Sequence, residues 1–245
     1  MLLSIKELIL KAWDLYLDNI KKLWMLIALL FVVNFASSLT DLLIVRYTSD
    51  WIQIVWRIGT GVVSWSATLL LSVAFLLALA SLLDHQPISL KNSLNQAAAK
   101  WPIILMVSVA SGLIIFGGFI LFIVPGIIFA VWYNFAMYEA LFQNTDLEQS
   151  LRHSHNISRG RFWPVAGRLA IPNIFWSLVL GLLVYSVVQL ADQIFAGKLL
   201  AANSAFAFSA LLSFVTDCIT TIATPLFMAT GLVLYRNLKE KPLLQ

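Results

Sequence analysis

Apolar residues in this chain come in long runs, divided by short polar stretches. The runs fall at roughly 23–45, 52–83, 102–123, 127–143, 164–190 and 205–235, and about twenty such residues cross the ~30 Å hydrocarbon core of a bilayer as a helix. Backbone in hydrocarbon must close its own hydrogen bonds, which a helix does within one segment. The pattern therefore predicts an all-α, polytopic membrane protein with six transmembrane helices arranged as three hairpins. At helical rise the second and sixth runs exceed the bilayer core, so they must tilt, kink or project into water.

Two Pro-containing dipeptides punctuate the runs. Pro125-Gly126 interrupts "FIVPGIIFAVWYNFAMYEALF" with no charge on either side, which predicts a tight turn between the third and fourth spans. Thr224-Pro225 lies inside the sixth run. Proline removes a helix hydrogen bond there and crowds the preceding turn, so a kink is expected at Pro225. The stretch "LWMLIALLFVV" resembles a signal core. It follows about twenty helix-like residues, and "SLTDLLIV" carries the apolar pattern onward, so it reads as an uncleaved first span.

Three polar segments share a grammar: "SIKELILKAWDLYL" from Ser4, "SLKNSLNQAAAKWP" from Ser89 and "DLEQSLRHSHNISRGRFWP" from Asp146. Each opens on a helix-capping residue. Apolar positions then recur at helical spacing: Ile5, Leu8, Ile9, Ala12, Trp13 and Tyr16 in the first, Leu90, Leu94, Ala97 and Trp101 in the second, Leu147, Leu151 and Phe162 more weakly in the third. The chain reads as a single integral membrane domain with a three-unit repeat, 1–83, 84–143 and 144–245. Each unit is a cytoplasmic or interfacial amphipathic helix followed by a transmembrane hairpin. Such helices either lie with their apolar face in the headgroup region or pack on one another as cytoplasmic helices.

Charge sets the orientation. With the N-terminus inside, thirteen Lys and Arg residues fall on the inner side, and only Arg46, Arg57 and Lys198 on the outer. That asymmetry predicts both termini in the cytoplasm. Composition agrees with the bilayer reading: 60% of residues are hydrophobic and 11% charged, against about 25% charged in soluble domains. The net charge of +4 fits cationic loops facing anionic lipid headgroups. No phosphate-cradling or nucleic-acid motif accompanies it, so nucleic acid is not an expected partner. The single cysteine, Cys218, can form no internal disulfide.

Ionisable groups inside apolar runs are costly, about 2.5–3.5 kcal/mol at the bilayer centre on insertion scales, so each asks for a role. Glu139 near the inner end of span four and Arg168 near the start of span five are placed to pair, with Arg159 and Arg161 as other partners. Asp217 sits about twelve residues into span six, some 18 Å from its start, amid Thr216, Thr220, Thr221 and Thr224. Asn34 and Asn173 fall at comparable depth. This set would form either an ion or headgroup site or a dry hydrogen-bonded packing core. Asp41 and Arg57 lie where they would pair or reach the outer interface. His153 and His155 are two apart and share no helix face, no HExxH occurs, and no metal or cofactor is expected. Gly112, Gly117 and Gly118 suit close helix contact.

The segments "IVPGIIFAVWYNFAMYEALF", "LEQSLRHSHNISRGRFWPV" and "TPLFMATGLVLYRNLK" resemble a group of bacterial membrane proteins. The group includes the membrane domain of some glycerophosphoryl diester phosphodiesterases and the YciC-like inner-membrane proteins. The positions carrying the resemblance are Pro125, Gly126 and Ile127; Glu139; Ser154, Ile157 and Gly160; and Pro225 with Tyr235. "LYRNL" departs from the group, which often has a second Tyr and an acidic residue there. The resemblance implies a multi-pass protein of the bacterial cytoplasmic membrane. It implies no phosphodiesterase activity, because no span-free stretch is long enough to fold that domain. The expectation is a non-catalytic membrane protein acting through lipids, a protein partner or a homo-oligomer. The alternative is a transporter or channel for a lipid or other small amphiphile; an intramembrane enzyme would lack an acid–base pair.

Overall fold

The computed structural model describes residues 2–47, 50–195 and 204–241. Among these it is built of helices: α1 (Ile5–Leu17), α2 (Ile20–Tyr47), α3 (Asp50–Leu83), α4 (Leu90–Leu121), α5 (Ile123–Tyr133), α6 (Ala136–Gln143), α7 (Leu147–Ser158), α8 (Phe162–Phe195) and α9 (Ser204–Glu240). Six helical stretches among the described residues are long and apolar enough to cross a membrane: Ile20–Thr40, Trp51–Leu83, Leu90–Leu121, Ile123–Gln143, Phe162–Leu190 and Leu212–Glu240. The chain is an all-α, multi-pass membrane protein.

The three capping residues read from sequence are N-caps. Ser4 and Glu7 form a reciprocal capping box at α1, Ser89 accepts from the Asn92 amide, and Asp146 accepts from the Gln149 amide. Each bond satisfies an amide that has no partner within its own helix. Beyond the caps the three segments differ. α1 and α7 are separate helices, whereas the second segment runs unbroken through Pro102 into its span as α4.

Pro125-Gly126 is not the hairpin turn. The helix stops one residue after Leu121, at Phe122, which is extended at φ −165° and ψ 159°, and resumes at Ile123. Pro125 then occupies the first turn of α5, where its missing N–H would have had no intrahelical partner. Gly126 serves packing instead. A Cβ there would lie 2.4 Å from the Phe119 ring, and one at Gly118 would lie 2.7 Å from Phe129. These two glycines let α4 and α5 approach closely, while Gly112 and Gly117 face open space.

Burial is concentrated at one end of the bundle. The stretch Val73–Leu76 and Ala78–Leu79 of α3 is fully enclosed by α2, α4 and α9, as expected for a helix apolar on all sides. Leu8, Ala12 and Tyr16 of α1 are also buried. They pack on α9 and α8, so the centre of α1's apolar face is covered by protein, while Trp13 at its edge stays 38% exposed. The outer parts of α3 and α8 are different: Val63 is 67% exposed and Leu182 is 66% exposed. So much unpaired apolar surface suits hydrocarbon and not water.

The packed end gathers the first and last described segments of the chain. The Leu3 amide donates to Asn237 Oδ1 at 3.0 Å, and Arg168 Nε donates to the Leu3 carbonyl at 2.7 Å. Arg161 reaches the carbonyls of Leu238 and Lys241 at the end of α9, and Lys100 reaches that of Leu141. Arg236 grips Asp84 through two bonds of 2.6 and 2.8 Å. That bond, with the guanidinium's charge, holds the Asp84 carboxyl below the usual carboxylate range. Cations on terminal carbonyls are favoured by the orphan acceptors and negative dipole end found there. The connectors 84–101 and 144–163 therefore meet at one end, as six alternating spans require.

Candidate functional site

The densest polar arrangement starts from a break in a helix. Span four is interrupted between α5 and α6 at Asn134-Phe135, which frees backbone groups that hydrocarbon would not satisfy. α7 supplies the missing partners. Its Ser150, Ser154 and Ser158, spaced four apart on one face, are fully buried. Ser154 Oγ accepts from the Phe135 amide at 3.1 Å and donates to the Trp132 carbonyl at 2.6 Å. Ser158 Oγ donates to the Val131 carbonyl at 3.3 Å. Ser150 Oγ bonds Thr145 Oγ1 at 2.7 Å and the Asp146 carbonyl at 2.6 Å, closing the α6–α7 turn.

Glu139 follows one turn after the break and is fully buried. The Tyr235 hydroxyl donates to its Oε1 at 2.9 Å. Lys239 Nζ spans both oxygens, at 2.9 and 3.1 Å, and His153 Nδ1 lies 3.4 Å from Oε2. Tyr138 stacks on Tyr235 with centroids 5.3 Å apart, and Phe135 and Phe142 complete an aromatic wall. The carboxylate thus ties α6, α7 and α9 together. Arg168 and Arg161, expected as its partners, bind backbone carbonyls instead, as described above, and Arg159 is exposed. That Tyr235 and Lys239, four apart on α9, are the partners of Glu139 escapes sequence reading, because they lie about a hundred residues from it.

The mid-depth set divides. Asn34 Nδ2 donates to Thr221 Oγ1 at 3.3 Å, and Thr68 Oγ1 donates to Asn34 Oδ1 at 3.4 Å, joining α2, α9 and α3. Asn173 stands apart and donates to the Leu169 carbonyl of its own helix. The hydroxyls of Thr220 and Thr224 likewise turn back onto α9. Asp217 Oδ2 is buried and has no hydrogen-bond partner, an exception to the rule that buried polar atoms are paired. Pro225 lies inside the continuous α9. In the turn just before it, the Ile222 carbonyl accepts from the Tyr16 hydroxyl at 2.8 Å, and burial pushes that hydroxyl up to about 12. The proposed Asp41–Arg57 contact lies outside the described side chains; Arg57 itself is exposed.

No group of three or more His, Cys, Asp or Glu able to hold a metal occurs among the described residues. Among the described residues, two clefts of ligand size are apolar and lie between helices. One, of 650 Å³, separates α2 from α3 along residues such as Val33, Ile52, Val55 and Val63. The other, of 520 Å³, separates α5 from the α7–α8 corner. Neither includes Glu139 or Asp217 in its walls. Compared with family models, curated proteins and solved structures, the chain matches none.

Proposed function

We propose that this chain is a non-catalytic multi-pass protein of the bacterial cytoplasmic membrane, with both termini in the cytoplasm, that works by engaging lipids or partner proteins as an organising or anchoring subunit. One observation carries the reading. The fully buried carboxylate of span four, Glu139, has both oxygens engaged in holding helices together. Reactive carboxyls need a free edge facing a substrate cavity, and this one has an aromatic wall. Two clefts among the described residues are instead apolar and lie between helices. The thirteen-to-three distribution of cations supports the cytoplasmic placement of the packed end.

We also propose membership of the YciC-like and phosphodiesterase-membrane-domain group. Its support is that the positions carrying that resemblance serve one assembly: Glu139 bonds Tyr235, Ser154 heals the α5–α6 break, and Gly160 turns the chain at φ 77°.

The unpartnered oxygen of Asp217 favours a second reading, transport of an amphiphile past the middle of span six. Proteoliposomes separate the two. The wild-type protein should move a fluorescent phospholipid between leaflets no faster than empty vesicles do. Transbilayer movement that Asp217→Asn abolishes would replace the organising role with the transport one.

A further inference from the structure

We infer that the cleft between α5 and the α7–α8 corner binds one anionic phospholipid, with the phosphate at Arg159 and an acyl chain along α5. The inference rests on the reading that this protein engages lipids, and adds to it a site and a headgroup class. The cleft encloses 520 Å³; Ile127 and Ile128 form one wall, Ala166 the other, and Trp132 and Trp163 stand among its lining residues with Arg159.

Charge identifies the occupant. Arg161, Arg168 and Arg236 are all engaged in hydrogen bonds, as are Lys100 and Lys239. Arg159 closes α7, is exposed, and has no side-chain partner among the described residues. No carboxylate lines the cleft. A cation at one end and apolar side chains along the rest match an amphiphile with one negative head. They do not match the apolar stripe of a second helix, which would leave the guanidinium over hydrocarbon. A zwitterionic headgroup carries its own ammonium beside the phosphate and would meet Arg159 less favourably.

The aromatic residues place the site at a boundary. Trp163 is 81% exposed, and such rings collect where hydrocarbon meets headgroups. Trp132 is held by His155, edge-on at 4.5 Å, which fixes its ring beside the cleft. The corner is set by Gly160, whose φ of 77° is a left-handed conformation that other residues adopt with strain. The serine bonds from α7 to the carbonyls of Val131 and Trp132 anchor that corner against α5. The cleft is thus bordered by bonded elements and opens where a lipid would lie.

Native mass spectrometry of the detergent-solubilised full chain, titrated with phosphatidylglycerol or phosphatidylcholine, tests the site. The wild type should retain one phosphatidylglycerol in preference to phosphatidylcholine. Arg159→Gln should weaken that retention by about fivefold, the worth of one basic side chain at an anionic lipid surface, and leave phosphatidylcholine unchanged. Ile127→Trp, which fills the cleft from an exposed position, should lower retention of both lipids, and Ala166→Phe provides a second obstruction from the opposite wall. Arg152→Gln, exposed on the same helix but outside the cleft, should behave as wild type. Equal losses in Arg159→Gln and Arg152→Gln would reduce the effect to general surface charge and overturn the site. So would retention indifferent to both obstructions, or a dimer without bound lipid that Ile127→Trp dissociates. Retention by mass is independent of transbilayer movement, so Asp217-dependent flux would remove the organising role and leave this cleft standing.

Discussion

Removing the Glu139 carboxylate should weaken the packed end more than any other single polar change there. Tyr235 is 3% exposed, so its hydroxyl cannot turn to water once its acceptor is gone. A hydrogen bond to a charged group is worth about 1.5–3 kcal/mol. Lys239 contributes less, because its side chain is 38% exposed and solvent screens the pair to about 0–1 kcal/mol. His153, 46% exposed and 3.4 Å away, adds little. Glu139→Ala should therefore cost about 3 kcal/mol, including the small void it leaves beside the aromatic wall. Glu139→Gln keeps an acceptor for Tyr235 and should cost about 1 kcal/mol. Replacing the pair together is the sharper test. Buried polar pairs exchanged for apolar groups of similar volume are often neutral, so Glu139→Met with Tyr235→Phe should lie within about 1 kcal/mol of wild type. Unfolding by denaturing detergent, followed by far-ultraviolet circular dichroism, measures all three. A loss below about 0.5 kcal/mol in Glu139→Ala would refute the structural role. So would a double variant as unstable as Glu139→Ala, since then the hydroxyl left behind would not be the cause.

Two further outcomes follow from other bonds. Ser154→Ala strips partners from the Phe135 amide and the Trp132 carbonyl together; the same titration should show a loss of about 2 kcal/mol, with faster amide exchange at Phe135. Tyr16→Phe orphans the Ile222 carbonyl and should cost about 1 kcal/mol at neutral pH. The Tyr16 hydroxyl is pushed up to about 12 against about 10 in an unfolded chain, so its stabilisation is complete below about pH 10. It is lost as pH rises toward the folded value, because the unfolded chain then releases the proton first. The stability gap between wild type and Tyr16→Phe should narrow over that window, and a gap that widened would show that burial does not set the shift.

Depth was legible in the sequence and azimuth was not. Hydropathy located six spans because hydrocarbon leaves the backbone few other options, and Ser4, Ser89 and Asp146 marked helix starts because a cap acts within three residues. Glu139 and Arg168 do lie at the same end of the molecule, as their positions along spans four and five imply. Which helix stands beside which is decided by side-chain fit far apart in sequence, so the partner was Lys239 rather than Arg168. Pro125-Gly126 misled for a local reason. Proline is as acceptable in a first helical turn as in a loop, and the residue that ends α4, Phe122, carries no turn signal at all. The bonding role of the α7 serines was not legible in the sequence because it exists only once another helix is broken opposite them. Their spacing of four, Ser150, Ser154 and Ser158, was the trace they left in the sequence.

The same distinction explains why the basic residues of this protein are not interchangeable. Apolar side chains gain little by leaving lipid for one another, so helices in a bilayer are held by close packing and polar ties. Here the ties fall mainly on helix ends: Lys100, Arg161 and Arg168 on backbone carbonyls, Arg236 on Asp84, Lys239 on Glu139. Substituting any of these should lower stability before it alters recognition, because each removal leaves an acceptor at a helix end or a buried carboxylate uncompensated. Arg159 differs in kind. Its charge closes no helix end in another segment and meets no carboxylate among the described residues, yet it sits at the edge of an apolar cleft between two spans. Stability that is indifferent to Arg159→Gln, with lipid retention that is not, would mark the point where fastening stops and recognition begins.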